Sequence, residues 1–225
     1  MFGRLDYYLD AFSSLSTNKN RNHWPEITKY QAPHKPFLLF SIFDLIASGS
    51  ITRNFIEPSF ELAETFSGYW QRVLPMWTSA SMAYPFYFLY TSGFWKLADK
   101  PGWPHRAGRK VGSVKQLRQM YFGARFNEDL YPLLVMKSSR EKLREAMIQT
   151  YFSSKQYNSL HEQAIINHGA SNYSATLLNV AERGSSYQIE QQIGAKTSKK
   201  SGTKVFGKLL SSFMNTVVLY VEYEC

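Results

Sequence analysis

The chain has one cysteine, Cys225, and that scarcity excludes an internal disulfide and any metal site built from several thiolates. It also lacks a run approaching the roughly 20 apolar residues of a membrane-spanning helix. No glycine-rich phosphate loop of either common form occurs. The five histidines, His23, His34, His105, His161 and His168, show no spacing that pairs them on a helix face. No local signature of a serine or cysteine nucleophile is present, so the chain reads as a binder, with no catalytic residue, metal or cofactor expected. Acid is in deficit as well. Lys and Arg number 26 against 17 Asp and Glu, a net charge of +9, which points to a polyanionic partner, nucleic acid before anionic membrane. The opening residues Met1–Asp10 read as an amphipathic helix and not as a signal peptide, so a cytoplasmic protein is expected.

What is present is a set of helical signals with a few strand-like interruptions. Leu5, Tyr8, Leu9 and Phe12 recur at helical spacing and stop at the polar run 13–22. Residues 36–47 are apolar nearly all round, which predicts a buried helix closed by Gly49. Ile51–Ile56 is short and β-branched, a small strand. Ser59 and Ser113 stand where helix N-caps belong, and Pro75 ends the helix that Ser59 starts. Aromatic-rich Tyr84–Tyr90, a turn at 91–93 and Phe94–Leu97 read as a β-hairpin. Asn127 and the acids after it read as the start of a short helix, and Ser138–Glu141 as a capping box opening a helix with Leu143, Met147, Ile148 and Tyr151 inward. After Phe152 the periodicity weakens, and residues 183–208 read as a linker. The expected fold class is α+β: a mainly helical domain with a small β-hairpin or wing, followed by an extended C-terminal tail.

Two features carry binding chemistry. His34 and Lys35 lie between Pro33 and Pro36 at the mouth of the buried helix, where a cation and free backbone N–H groups suit an anion. Taken alone, the pair equally caps and solvates a helix start. Residues 100–127 hold seven basic residues and no acid, in a Gly- and Pro-rich loop followed by a helix. With Trp103, Tyr121 and Phe122 interleaved, this stretch suits contact with a phosphate backbone, although a solvated surface loop has the same composition.

His34-Lys-Pro-Phe-Leu-Leu, Tyr84-Pro-Phe-Tyr-Phe-Leu with Gly93-Phe-Trp, and Leu130 onward through Glu141-Lys-Leu-Arg to Phe152 together follow one pattern. It resembles the N-terminal sulfur-binding domain of McrA-like HNH restriction endonucleases, which recognises phosphorothioated DNA. The resemblance covers roughly residues 1–155. It implies that His34, Lys35, Tyr84, Pro85 and Phe88 form an apolar pocket with a cationic rim for the modified phosphate. It implies further that Arg106, Arg109, Lys110, Lys115 and Arg118 meet the DNA backbone. Phe88 stands where the best-studied members of the family carry a small residue. Lys35 offers a point charge where an arginine would offer a planar fork. Residues 156–208 are then a helical remnant and linker. Lys204–Leu210 resembles the entry to the HNH domain, whereas Ser211–Cys225 does not continue it. Residues 209–225 are therefore expected to be a truncated or frameshifted start of a nuclease domain that is missing.

The expected function is binding of phosphorothioated double-stranded DNA as the recognition module of a modification-dependent restriction system. A reader of another modification or of unmodified DNA, and a protein-interaction module with an acidic partner, are the alternatives. If the basic stretch meets phosphates, replacing Arg109 and Lys110 by alanine weakens binding to every duplex alike. The slope of log affinity against log salt then falls by about 0.9 for each phosphate no longer neutralised, read by titration at several salt concentrations.

Overall fold

Eight α-helices and two β-strands follow one another among the residues that the computed structural model describes, 2–78, 80–103, 111–170 and 173. They are α1 (Phe2–Ser13), α2 (His34–Ala47), α3 (Phe60–Val73), α4 (Ala83–Phe88), β1 (Trp95–Asp99), α5 (Val114–Met120), β2 (Tyr121–Phe126), α6 (Tyr131–Val135), α7 (Lys137–Tyr151) and α8 (157–170). The class is as the sequence predicts, mainly helical with one small antiparallel sheet. The described residues belong to one unit, Met1–Ala175. That unit runs past Phe152, because Leu160 and Gln163 on α8 are buried against it. Among the described residues no helix is long and apolar enough to cross a membrane. Arg106, Arg109, Lys110, the linker at 183–208 and the expected nuclease start at 209–225 lie outside the described residues.

The centre of the fold is α2, because its sequence leaves it no polar face to show to water. Every residue from Lys35 to Ile46 is buried, and the helix packs against α3, α4, α6 and α7. Ser41, deep in the core, bonds its hydroxyl back to the carbonyl of Phe37 at 2.7 Å. Gly49 ends the turn at φ +80°, a left-handed conformation that glycine adopts without strain.

One acid lies within this apolar helix, and it is matched. Asp44 is paired with Arg144 of α7 at 2.5 Å, both side chains being 3% exposed. The Tyr69 hydroxyl of α3 donates to the other Asp44 oxygen at 2.7 Å and accepts from Arg144 at 2.9 Å. Asn167 of α8 donates to that second oxygen too, at 2.7 Å. Burial alone pulls the Arg144 pKa down, but Tyr69, Asp44 and Glu141 more than reverse this and keep it charged. Burial raises Tyr69 well above the usual phenol range, so it stays a donor.

The structure departs from the sequence expectation in four places. Tyr84–Tyr90 is not a strand of a hairpin but α4 and a 3-10 turn at Leu89–Ser92. Pro85 falls in the first turn of α4, where its missing N–H costs nothing, and Ala83, Phe86 and Tyr87 are buried at helical spacing. The partner of β1 is instead β2, in a register from Trp95 opposite Phe126 to Asp99 opposite Tyr121. The small strand at Ile51–Ile56 reduces to one bridge, in which Ile56 and Ala124 exchange hydrogen bonds of 2.8 and 2.9 Å. Gly123 permits that approach, since a Cβ there would stand 2.4 Å from the Ile56 carbonyl oxygen.

The other two departures concern helix starts. Asn127 does not cap α6; it forms the turn before it, its carbonyl accepting from Leu130 at 3.0 Å. The capping box at Ser138 does not form either. The helix begins two residues earlier, with Met136 in the cap position, and Arg140 in its first turn donates to the carbonyls of Leu134 and Val135 at 2.6 and 3.0 Å. That guanidinium ties the end of α6 to the start of α7. Elsewhere the caps are those predicted: Ser59 accepts from Leu62 at 3.1 Å and Ser113 from Gln116 at 3.2 Å.

Removing one member of the buried pair strands the other. Asp44→Leu or Arg144→Leu is expected to lower unfolding stability by about 3–5 kcal/mol, and the double variant by clearly less than the sum. Denaturant titration of all four proteins measures this.

Candidate functional site

The start of α2 and the body of α4 face one cavity. Pro33 precedes α2 without a side-chain cap, and His34, Lys35 and Pro36 make its first turn. The loop 14–33 brings Ser16, Thr17, Asn18, Trp24 and Ala32 to the same place. Tyr84, Pro85 and Phe88 come from α4, and Thr91 from the turn behind it. The cavity they enclose has a volume of about 640 Å³. His34, Lys35, Tyr84, Pro85 and Phe88, five residues singled out from two distant stretches of sequence, therefore line a single cavity.

Trp24, His34, Tyr84 and Phe88 give the cavity an aromatic part, beside the polar Ser16, Thr17, Asn18 and Thr91. The rings of Tyr84 and Phe88, one helical turn apart, lie 4.6 Å from centroid to centroid, with Tyr84 exposed and Pro85 buried beneath. Trp24 stacks on Trp77 at 5.4 Å with 11° between the planes. The His34 ring stands between Trp24 at 5.3 Å and Trp70 at 4.8 Å. Burial, with His23 adding a like charge, pushes the His34 pKa down to about 4. At neutral pH this imidazole is uncharged, an aromatic wall and not an anion anchor.

Lys35 is the cation of the site. It is 8% exposed, and Nζ donates to the Thr91 hydroxyl at 3.1 Å, which in turn donates to the Phe88 carbonyl at 2.9 Å. Burial lowers its pKa. None of the described residues that line the cavity is a carboxylate. An ammonium group with a neutral partner, walled by aromatic rings, leaves a position for an anion whose hydration is weak enough to give up.

Of the other predicted residues, two are described and lie elsewhere. Lys115 and Arg118, both on α5, line a separate groove that shares no residue with this cavity. Ser16, Thr17, Asn18, Trp24, Ala32 and Thr91 line the cavity without having been singled out in the sequence, and Trp70 packs behind the His34 ring. Trp24-Pro25 marks the end of a polar loop, a position where an aromatic has no obvious core role and so signals a site. Nothing local marks Thr91. Among the described residues no group of three or more His, Cys, Asp or Glu is placed to hold a metal ion. In comparisons with known proteins, the chain matches no family model and no curated protein sequence.

The state of His34 has a consequence for stability. Its folded pKa lies below the ordinary value of 6.5, so between about pH 6.5 and pH 4 the unfolded chain takes up the proton first. This contribution therefore destabilises the fold progressively as pH falls through that window, by roughly 2–3 kcal/mol in all. His34→Phe is expected to flatten that part of the pH profile relative to the native protein, as read by melting temperature at pH 7, 5.5 and 4.

Proposed function

We propose that this protein recognises phosphorothioated duplex DNA, with the sulfur-bearing phosphate seated in the cavity between α2 and α4. One observation carries the reading: the five residues that correspond to the sulfur pocket of McrA-like HNH endonucleases line one cavity. Sulfur is larger, more polarisable and less strongly hydrated than the oxygen it replaces. An apolar aromatic wall therefore favours it, while an ordinary phosphate oxygen loses water there without return. Lys35 keeps the negative charge of the group paired at the rim. The basic stretch 100–127 supplies attraction that does not depend on sequence. The role is that of a recognition module within a modification-dependent restriction system.

A second reading, a different modification on the DNA backbone or bases, draws support from Phe88. Its ring takes the place of a small side chain and packs tilted against Tyr84, which gives the wall more aromatic surface than a single sulfur atom requires.

Mobility shifts on matched duplexes, with and without one phosphorothioate, test the proposal. The modified duplex should bind more tightly, and Lys35→Ala or Tyr84→Ala should reduce that preference by about tenfold while leaving affinity for the unmodified duplex nearly unchanged. Equal binding of the two duplexes by the native protein overturns sulfur reading.

A further inference from the structure

A second groove, on residues that the cavity does not use, is built from the segment 55–60, the two strands and α5. One part of it, about 780 Å³, is lined by Phe55, Phe60, Phe122, Lys100, Arg118 and Arg125 among others. A second part, about 660 Å³, shares Phe60, Lys100 and Arg118 and continues to Lys115. The shared residues make these one continuous track.

Along the track, cations and aromatic rings alternate. Lys100 Nζ stands 5.1 Å from the centre of the Phe122 ring, and the guanidinium groups of Arg125 and Arg53 stand 5.0 and 5.5 Å from that of Phe55. The side chains are set by the backbone around them: Lys100 donates to the Arg118 carbonyl at 2.6 Å, and Arg118 donates to that of Pro58 at 2.6 Å. The acid in the lining, Glu57, is paired with Arg53 at 3.5 Å. Among the described residues no carboxylate pairs with Lys100, Lys115, Arg118 or Arg125. Yet Phe60 is 72% and Phe122 54% exposed, large apolar rings held in water between those cations.

We propose that this groove holds a single-stranded polynucleotide, its bases stacked on Phe60 and Phe122 and its phosphates on Lys100, Lys115, Arg118 and Arg125. The charge selects a polyanion. The rings select one whose flat faces are open, because a base inside a duplex offers its faces only to its neighbours in the stack. Stacking is indifferent to base identity, so the groove takes strands with little sequence preference. The phosphorothioate pocket is the other cavity, while the cations of this groove belong to the basic stretch on which that reading also draws for attraction to DNA; the rings Phe60 and Phe122 are what this inference adds.

Fluorescence anisotropy of the full chain with a dye-labelled oligothymidylate of about 15 nucleotides tests it. Binding is expected at low salt, tighter than for a hairpin duplex of equal charge. The double variant Phe60→Ala, Phe122→Ala should weaken it by at least about tenfold with the salt slope unchanged. Lys115→Ala should lower that slope by about 0.7. Because both rings are exposed, an unchanged melting temperature certifies that the double variant is folded. Its preference for a phosphorothioated duplex should also be unchanged, which separates failure of this proposal from failure of the other. Absence of oligothymidylate binding, an undiminished affinity in the folded double variant, or equally tight binding of a polyglutamate peptide overturns the proposal, the last assigning the groove to an acidic protein segment.

Discussion

The pair of Asp44 and Arg144 is the interaction on which the arrangement of helices depends. An apolar helix buried on all sides has few features to fix its rotation, since one greasy face packs much like another. A carboxylate on that helix changes the case. It has to find its cation, the Tyr69 hydroxyl and the Asn167 amide together, and one rotation and depth of α2 satisfy all three. Four helices distant in sequence, α2, α3, α7 and α8, are thereby fixed to one another. The pair adds little net stability over a well-packed apolar substitute, but it is costly to break, and its contribution is a unique register.

The same helix that is anchored in the core opens the cavity at its other end. With Asp44 held, the first turn of α2 has no freedom to move Lys35 relative to α4, and the Lys35–Thr91–Phe88 chain of hydrogen bonds closes the remaining gap. A lysine at 8% exposure is an expensive group to keep charged, and a neutral hydroxyl relieves only part of that cost. Pairing with a carboxylate would relieve more, and would also occupy the place an anion needs. His34, neutral among indoles, contributes shape to the same wall without competing for charge.

Much of this was legible in the sequence and some was not, for physical reasons. The burial of α2 follows from its composition, and the serine caps at 59 and 113 are local, so both could be read. The run Tyr84–Tyr90 reads as a strand because aromatic residues favour strands on average, whereas the position of Pro85 and packing against α2 decide for a helix. β2 lies 22 residues beyond β1, with a helix between, and no hairpin signal marks such a pairing. Of the site, His34, Lys35, Tyr84, Pro85 and Phe88 were legible through a resemblance of motifs, but their meeting in one cavity is a tertiary fact. The partnership of Asp44 with Arg144 spans 100 residues, and the role of Thr91 rests on one hydroxyl, so neither leaves a local trace.

The stacked indoles of Trp24 and Trp77 give the cavity an optical property of its own. Indole emission responds to the polarity and polarisability of its surroundings, and Trp24 is both a wall of the cavity and a member of the cluster with His34, Trp70 and Trp77. Excitation absorbed by any of these rings migrates readily to its neighbours at such separations. Heavy, polarisable atoms arriving beside Trp24 quench the cluster as a whole and not one residue of it. The protein thus carries a built-in chromophore in the wall of the candidate cavity, so a ligand arriving beside Trp24 is expected to change its native fluorescence without any label.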